Sequence, residues 1–352
     1  MNKTKLAIIF GGKSSEYPVS LHSAGSLIRN VDTDRFEMIF VGIDVLGNWY
    51  YYPGDIESIE HDTWLKHPGC VEMILSPSPK DKGFVKLFED GHYEKMEIDC
   101  IFPVLHGKNG EDGTIQGIFE MSGIPYVGCG TMSSAISMDK EITHIVCERA
   151  GISMAPYICI KKTSHLDYKK EYEQAKAKLG LPIFVKPACA GSSFGISMAN
   201  NEEEFKASLQ MAFAHDRKVI LETTIKGFEI GCAVSGNEEL TIGSCDEVET
   251  SAAFFDYEGK YELVNSQIHC PARISEKLTK EAKAMARNSY IALDCMGMTR
   301  VDMFVVDDHV ILNEVNTIPG FTATSRYPSM MKDIGVDFKQ LINHLVDLAF
   351  QK

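Results

Sequence analysis

Alternation of apolar and polar positions is clearest over residues 299–321, read TRVDMFVVDDHVILNEVNTIPGF. Arg300, Asp302 and Phe304 fall on one strand face and Val301, Met303 and Val305 on the other. Positions 310–317 alternate again, and put Val310, Leu312, Glu314 and Asn316 on one face. With Asp307, Asp308 and His309 as the loop, Val306 pairs with Val310, Asp302 with Glu314 and Arg300 with Asn316. Facing carboxylates repel across strands. The pattern therefore predicts either a solvated acidic hairpin or a cation between Asp302 and Glu314, with the Asn316 amide oxygen as a third ligand. Oxygen-only ligands suit Mg²⁺, which takes the rest of its shell from water and phosphates. A nucleotide is the partner such a site would imply.

The remaining pattern predicts an open α/β sheet at the start of the chain. Residues 5–10 form a buried strand, 18–28 a helix, 39–43 a second strand, 98–105 a third and 114–121 a second helix. Ligands of such sheets collect at the carboxyl ends of the strands, which makes Glu16 and His106 candidates by position. A helix-dipole partner and a satisfied loop histidine explain the same two residues equally simply. AIIFGGKS approaches the phosphate loop GxxxxGK[ST] but has Ala7 where the first glycine belongs, so that motif is rejected. Positions 44–94 mix short apolar runs with Gly, Pro and charge and predict little.

A boundary is expected near residue 129, giving units 1–129, 130–220 and 221–352. One helix is predicted over 133–150; it carries Lys140, which spacing alone reads as solvated. A strand over 183–186 ends in Lys186-Pro187, ahead of the small-residue loop 190–195 with Ser192 and Ser193. Such a loop suits close approach to phosphates, and Lys186 would face the same ligand. Strands are predicted over 218–222 and 228–234, with a turn between. Aromatics crowd residues 249–273, either as a lid or as a packed hairpin. The segments 275–293 and 338–350 read as amphipathic scaffold helices.

Composition narrows the class. The 352 residues exceed one typical core. Lys+Arg of 35 against Asp+Glu of 49 gives −14, without basic runs, which argues against nucleic acid as a partner. Ten scattered cysteines with no CxxC pair suggest neither zinc nor a disulfide framework. No apolar run reaches membrane-spanning length, so a soluble cytoplasmic protein is expected.

Taken together, FGGKSSEYPVS, LHGKNGEDGT, MDK, KPACAGSSFG, FFDYEGKY, TRVD and NEVNTIPGFTATSRYP resemble the ATP-grasp ligases, and among them the D-alanine–D-alanine ligases. The resemblance implies an ATP-grasp fold, with an N-terminal open α/β domain followed by two α+β domains enclosing ATP. It implies phosphorylation of D-alanine and attack of a second amine on the acylphosphate. By position, Asp302, Glu314 and Asn316 would bind Mg²⁺, or Mn²⁺ in its place. Lys140 and Lys186 would meet ATP phosphates under the Ser193 loop, and Glu222, Thr223, Ile225 and Glu229 would hold the nucleoside. Glu16 would bind the first amino group, linked through Ser192 to Tyr261; Lys260 would reach the transferred phosphate. Arg300 and the Gly320 N–H would stabilise the oxyanion, Ser325 would hold the second carboxylate, and His106 would sit at the reacting centre. Arg326, where an apolar residue is usual, and Phe255, where tyrosine is usual, resemble the D-alanine–D-serine ligases of vancomycin resistance, most nearly the VanG type. That implies D-alanine and D-serine as substrates. A homodimer is expected by the same resemblance.

Overall fold

The computed structural model describes residues 3–191, 195–250 and 266–352. Three sheets organise it. The first has seven strands, β1 (Thr4–Gly11), β2 (Phe36–Ile43), β3 (Trp49–Tyr52), β4 (Val71–Leu75), β5 (Gly83–Leu87), β6 (Tyr93–Glu97) and β7 (Cys100–Val104). Their order is β6-β5-β4-β3-β2-β1-β7, and β1 runs parallel to both β2 and β7. Helix α1 (Tyr17–Asn30) follows β1, α2 (Ile56–Glu60) follows β3 and α3 (Thr114–Ser122) follows β7. Strand β1 is buried on both faces: Leu6, Ile8 and Phe10 join one core, Ala7 and Ile9 another. Both faces of a parallel strand are covered, as its unbroken apolar run requires. The chain leaves β1 through α1 toward β2 on one side while β7 flanks it on the other, and ligands of such sheets collect at these carboxyl ends.

The opaque stretch 44–94 holds an antiparallel extension of this sheet, β3 to β6. Its strands are four or five residues long, too short for periodicity to register.

The second sheet lies further along the chain. Helices α4 (Thr131–Met138) and α5 (Lys140–Arg149) lead to β8 (Tyr157–Lys161), α6 (Tyr168–Leu179), β9 (Ile183–Pro187), β10 (Ser197–Ala199), α7 (Glu202–His215) and β11 (Lys218–Thr223). The order β10-β9-β11-β8 is antiparallel throughout. The single helix expected over 133–150 is thus two. Asp139 breaks it: its backbone is extended, and its carboxylate accepts the N–H groups of Glu141 (3.1 Å) and Ile142 (3.3 Å) as an N-cap. The break turns Lys140 inward, where it is buried.

The third sheet is antiparallel, in the order β14-β13-β12-β15-β16. It comprises β12 (Phe228–Gly236), β13 (Leu240–Thr250), β14 (Ser266–His269), β15 (Gly297–Val306) and β16 (His309–Asn316), with α8 (Glu276–Ala292) against one face. Helices α9 (Arg326–Asp333) and α10 (Phe338–Ala349) close the chain. Tyr327, Met330, Leu341 and Leu345 from these two share a core with Leu6, Phe10 and Phe102 of the first sheet. The first and third sheets are thereby packed as one body. Strand β11 reaches Thr223, past the division expected at 220/221.

The hairpin β15–β16 corrects the expected loop. Its turn has two residues, Asp307 (φ +53°) and Asp308, so Val306 pairs with His309 rather than Val310. A bulge at Asn313 then restores Asp302 opposite Glu314 and Arg300 opposite Asn316. One extra residue moves the following side chains to the other face. Val310 and Leu312 therefore point into the core while Glu314 and Asn316 do not. The four do not share one face, and the bulge is what places Glu314 and Asn316 beside Asp302.

Candidate active site

Two cavities meet at Lys140 and Glu314, which line both. The smaller, about 80 Å³, lies where the first and third sheets and the start of the 190–195 loop come together. Glu16, His106, Glu111, Arg300, Asn316 and Gly320 line it. Glu16 follows β1 and His106 follows β7, so both sit at the carboxyl ends of parallel strands. A methyl group on Gly107 would lie 2.1 Å from Glu16 Oε2, and one on Gly191 2.8 Å from the same atom. Both glycines therefore leave room for that carboxylate.

His106 is buried, and burial holds its imidazole below the usual histidine range. Its Nδ1 lies 3.2 Å from the Ile318 carbonyl and its Nε2 3.3 Å from Ser23 Oγ. A carbonyl only accepts, so Nδ1 carries the proton and Nε2 accepts from the serine. Glu111, read from sequence only as part of a polar loop, stands beside it. Its carboxylate accepts the N–H of Gly107 (2.7 Å) and of Ile318 (3.2 Å). Burial, reinforced by the Glu16 charge, pushes the Glu111 carboxyl up to about 8.

Arg300 donates to both oxygens of Asp302, from Nε at 2.8 Å and Nη2 at 2.6 Å. Burial works against the Arg300 charge, but Asp302 outweighs it and the guanidinium is held above its ordinary value. Asn316 Nδ2 also donates to Asp302, at 2.9 Å. The expected metal set is oxygen-only and shares one sheet face, which fits a hard cation in kind. Of these three, only Glu314 and Asn316 line the cavity; Asp302, 1% exposed, is paired with Arg300 and Asn316.

The larger cavity, about 440 Å³, lies between the second and third sheets, within the range of small-molecule sites. Phe184, Ile196, Met198, Phe228, Val248 and Phe304 give it apolar walls. Lys186, Glu222, Thr223, Ile225 and Glu229 are all on its lining. Lys186 Nζ is 2.7 Å from Glu222 Oε2, and His144 Nε2 is 3.0 Å from Glu222 Oε1. Burial would raise the Glu222 carboxyl, but Lys186 and then His144 hold it below the usual range. Lys140 Nζ donates to the Ala190 carbonyl at 2.9 Å and stands 4.0 Å from Glu314 Oε2. Apolar walls with cations and carboxylates among the lining suit a nucleoside phosphate.

Ser325 and Arg326 line neither cavity. Ser325 Oγ accepts the Thr322 N–H at 3.1 Å and would be 3.3 Å from a methyl group on Gly320. Arg326 is neither a surface residue nor aimed at the smaller cavity. It donates to Asp246 from Nε (2.7 Å) and Nη2 (2.8 Å) and to Glu229 from Nη1 (2.6 Å), and Asp302 lies 3.5 Å away. Asp246, wholly buried, was not singled out by sequence; nothing in the local pattern of β13 distinguishes a charged partner from a strand residue. Ser192, Ser193, Phe255, Lys260 and Tyr261 lie outside the described residues, as does most of the expected lid.

Known proteins place the fold. Residues 5–129 match the model for the D-ala D-ala ligase N-terminus and residues 146–347 that for the D-ala D-ala ligase C-terminus. The chain belongs to the D-alanine–D-alanine ligase family. It is 42% identical to the D-alanine–D-alanine ligase of Caldicellulosiruptor bescii, over 100% of this chain and 96% of that one. To the vancomycin C-type resistance protein VanC1 of Enterococcus gallinarum it is 40% identical, over 98% of each. Among solved structures, the VanG D-Ala:D-Ser ligase of Enterococcus faecalis superposes with a TM-score of 0.90 at 45% identity, covering 99% of this chain and 100% of that one. The Bacillus anthracis D-alanine–D-alanine ligase complexed with ATP gives 0.73 at 26% identity, covering 99% and 98%. The ATP-grasp architecture expected from sequence is the one observed, and the ligase is of an ATP-using family. Among the described residues, no helix is long and apolar enough to cross a membrane.

Proposed function

We propose that this ligase joins D-alanine to D-serine at the expense of ATP, supplying peptidoglycan precursors with altered termini that confer vancomycin resistance. One observation carries the chemistry: a nucleotide-sized cavity and a small polar cavity share Lys140 and Glu314, so a phosphate held at the seam reaches both. A carboxylate oxygen of D-alanine attacks the γ-phosphorus of ATP there, and ADP leaves. The D-serine amine then attacks the carbonyl carbon of D-alanyl phosphate, the C–O bond to phosphate breaks, and the amine loses its proton. Glu16 binds the first ammonium group, and Arg300 with the Gly320 N–H takes the negative charge of the tetrahedral intermediate. Lys186 and Lys140 hold phosphates, while Glu222, Thr223, Ile225 and Glu229 hold the nucleoside. Mg²⁺, when bound, neutralises phosphate charge; Glu314 and Asn316 would hold it, with Asp302 joining only by giving up part of its pairing with Arg300.

Serine as second substrate rests on Arg326 and on the likeness to the VanG enzyme. A site that hydrogen-bonds a hydroxyl rejects the deoxy analogue by up to about 10⁴-fold. The second reading is D-alanine in both positions, favoured by the commitment of Arg326 to Asp246 and Glu229. In the serine reading Arg326 acts through those carboxylates or through water. A homodimer in the cytoplasm belongs to the same proposal. The test is incubation with ATP, Mg²⁺ and equimolar D-alanine and D-serine, with the dipeptide identified by mass. Mainly D-Ala-D-Ser is expected; D-Ala-D-Ala alone would select the second reading.

A further inference from the structure

The backbone on either side of Ile318 is gripped by two side chains from the first sheet's loops. Glu111 accepts the Ile318 N–H, and His106 Nδ1 donates to the Ile318 carbonyl. The Ile318 side chain is itself buried in the core that joins that sheet to α9 and α10. Pro319 comes next. Its ring fixes φ near −65°, so a single soft torsion, ψ of Pro319, separates the gripped carbonyl from the orientation of the Gly320 N–H. Glycine at 320 leaves that torsion free of any side chain of its own. Only that torsion lies between the grip and the donor, and Gly320 lines the small cavity.

His106 can serve this way only with a proton on Nδ1, and its burial favours the neutral ring that carries it there. Ser23 Oγ, buried in α1, supplies the second partner at 3.3 Å. Glu111 is anchored in turn by the Gly107 N–H at 2.7 Å, so it ties one backbone loop to another. Neither residue pairs with Lys186, Glu222 or any other nucleotide-side residue among the described contacts.

We infer that His106 and Glu111 are positioning residues, which together fix the Ile318–Pro319 backbone so that the Gly320 N–H points at the developing oxyanion. The inference rests on the ligase reading. A donor displaced by about 1 Å can cost on the order of a hundredfold in rate.

The experiment measures kcat for dipeptide formation and KM for ATP in wild type, Glu111→Ala, His106→Ala and the double variant. His106→Asn is included because its amide nitrogen can replace Nδ1 as donor. Glu111→Gln keeps one acceptor oxygen and the side-chain volume, and serves if the alanine variant does not fold. Each alanine variant should lose about 10- to 100-fold in kcat, with KM for ATP within about twofold. The double variant should be no worse than about threefold beyond the poorer single one, because both residues hold one stretch of backbone. His106→Asn should recover most of the lost kcat, and Glu111→Gln should fall between wild type and alanine. Unchanged kcat in either alanine variant, multiplicative losses, or a parallel rise in KM for ATP would overturn the inference. A wild type that makes no dipeptide would instead overturn the ligase reading.

Discussion

In the smaller cavity charge is dense, and its anchors are backbone groups: Glu111 on Gly107 and Ile318, His106 on Ile318. In the larger one the walls are aromatic and aliphatic, and the charged groups pair with one another, Lys186 with Glu222 and Arg273 with Glu247. The first arrangement is rigid about a few atoms, as stabilising a brief oxyanion demands. The second buries a broad apolar surface and uses its ion pairs to fix orientation. In the proposed reading, bond formation and nucleotide binding fall to different residues, and among the described residues Lys140 and Glu314 line both cavities. Perturbing one cavity should leave the other's task intact.

Lys186→Met challenges that division most strongly. It leaves Glu222 buried with only His144 as its described partner, a loss that typically costs about 3–5 kcal/mol of stability. Denaturant unfolding should register it, and ATP affinity should fall by about a hundredfold, this being the affinity equivalent of just under 3 kcal/mol. Unchanged ATP affinity would remove Lys186 from nucleotide binding.

Arg326→Lys is the next largest. It keeps the charge opposite Asp246 but loses the fork that reaches Asp246 and Glu229 together. The preference for D-serine over D-alanine should fall about tenfold, a little over 1 kcal/mol of discrimination, when both compete for one acceptor site. Selectivity equal to wild type would leave Arg326 a structural counter-ion alone.

A third effect, on the pH dependence of stability, concerns Glu111. Its carboxyl is raised to about 8 in the folded chain from an ordinary value near 4.5, so the folded state holds that proton more tightly than the unfolded one. Its contribution to stability is therefore best below 4.5 and declines as pH rises toward 8. Glu111→Gln should flatten the unfolding midpoint between pH 5 and about 8 relative to wild type. An unaltered pH profile would place the group's titration elsewhere.

How far the sequence disclosed all this follows from physical range. Strand β1, α1, β12, α8 and α10 are long or strongly periodic, and the pattern places them. The paired carboxylates of the hairpin were legible because cross-strand register depends on local spacing. The expected loop was a residue too long, and the unforeseen bulge at Asn313 compensated for it. Asp139 hid a helix break because an N-cap inside an apolar pattern looks like any polar helix position. Arg326 with Asp246 and Glu111 with Ile318 join residues 80 and 207 positions apart; no window along the chain contains both partners. The inward turn of Lys140 follows from the Asp139 break.

The most direct measurement compares binding with turnover in Arg300→Ala. Nucleotide titration should give an ATP affinity within about threefold of wild type, while dipeptide formation falls by about a hundredfold or more, as for loss of an oxyanion donor. Normal ligation in that variant, or ATP affinity lost in step with turnover, would contradict the separation of the two cavities' tasks.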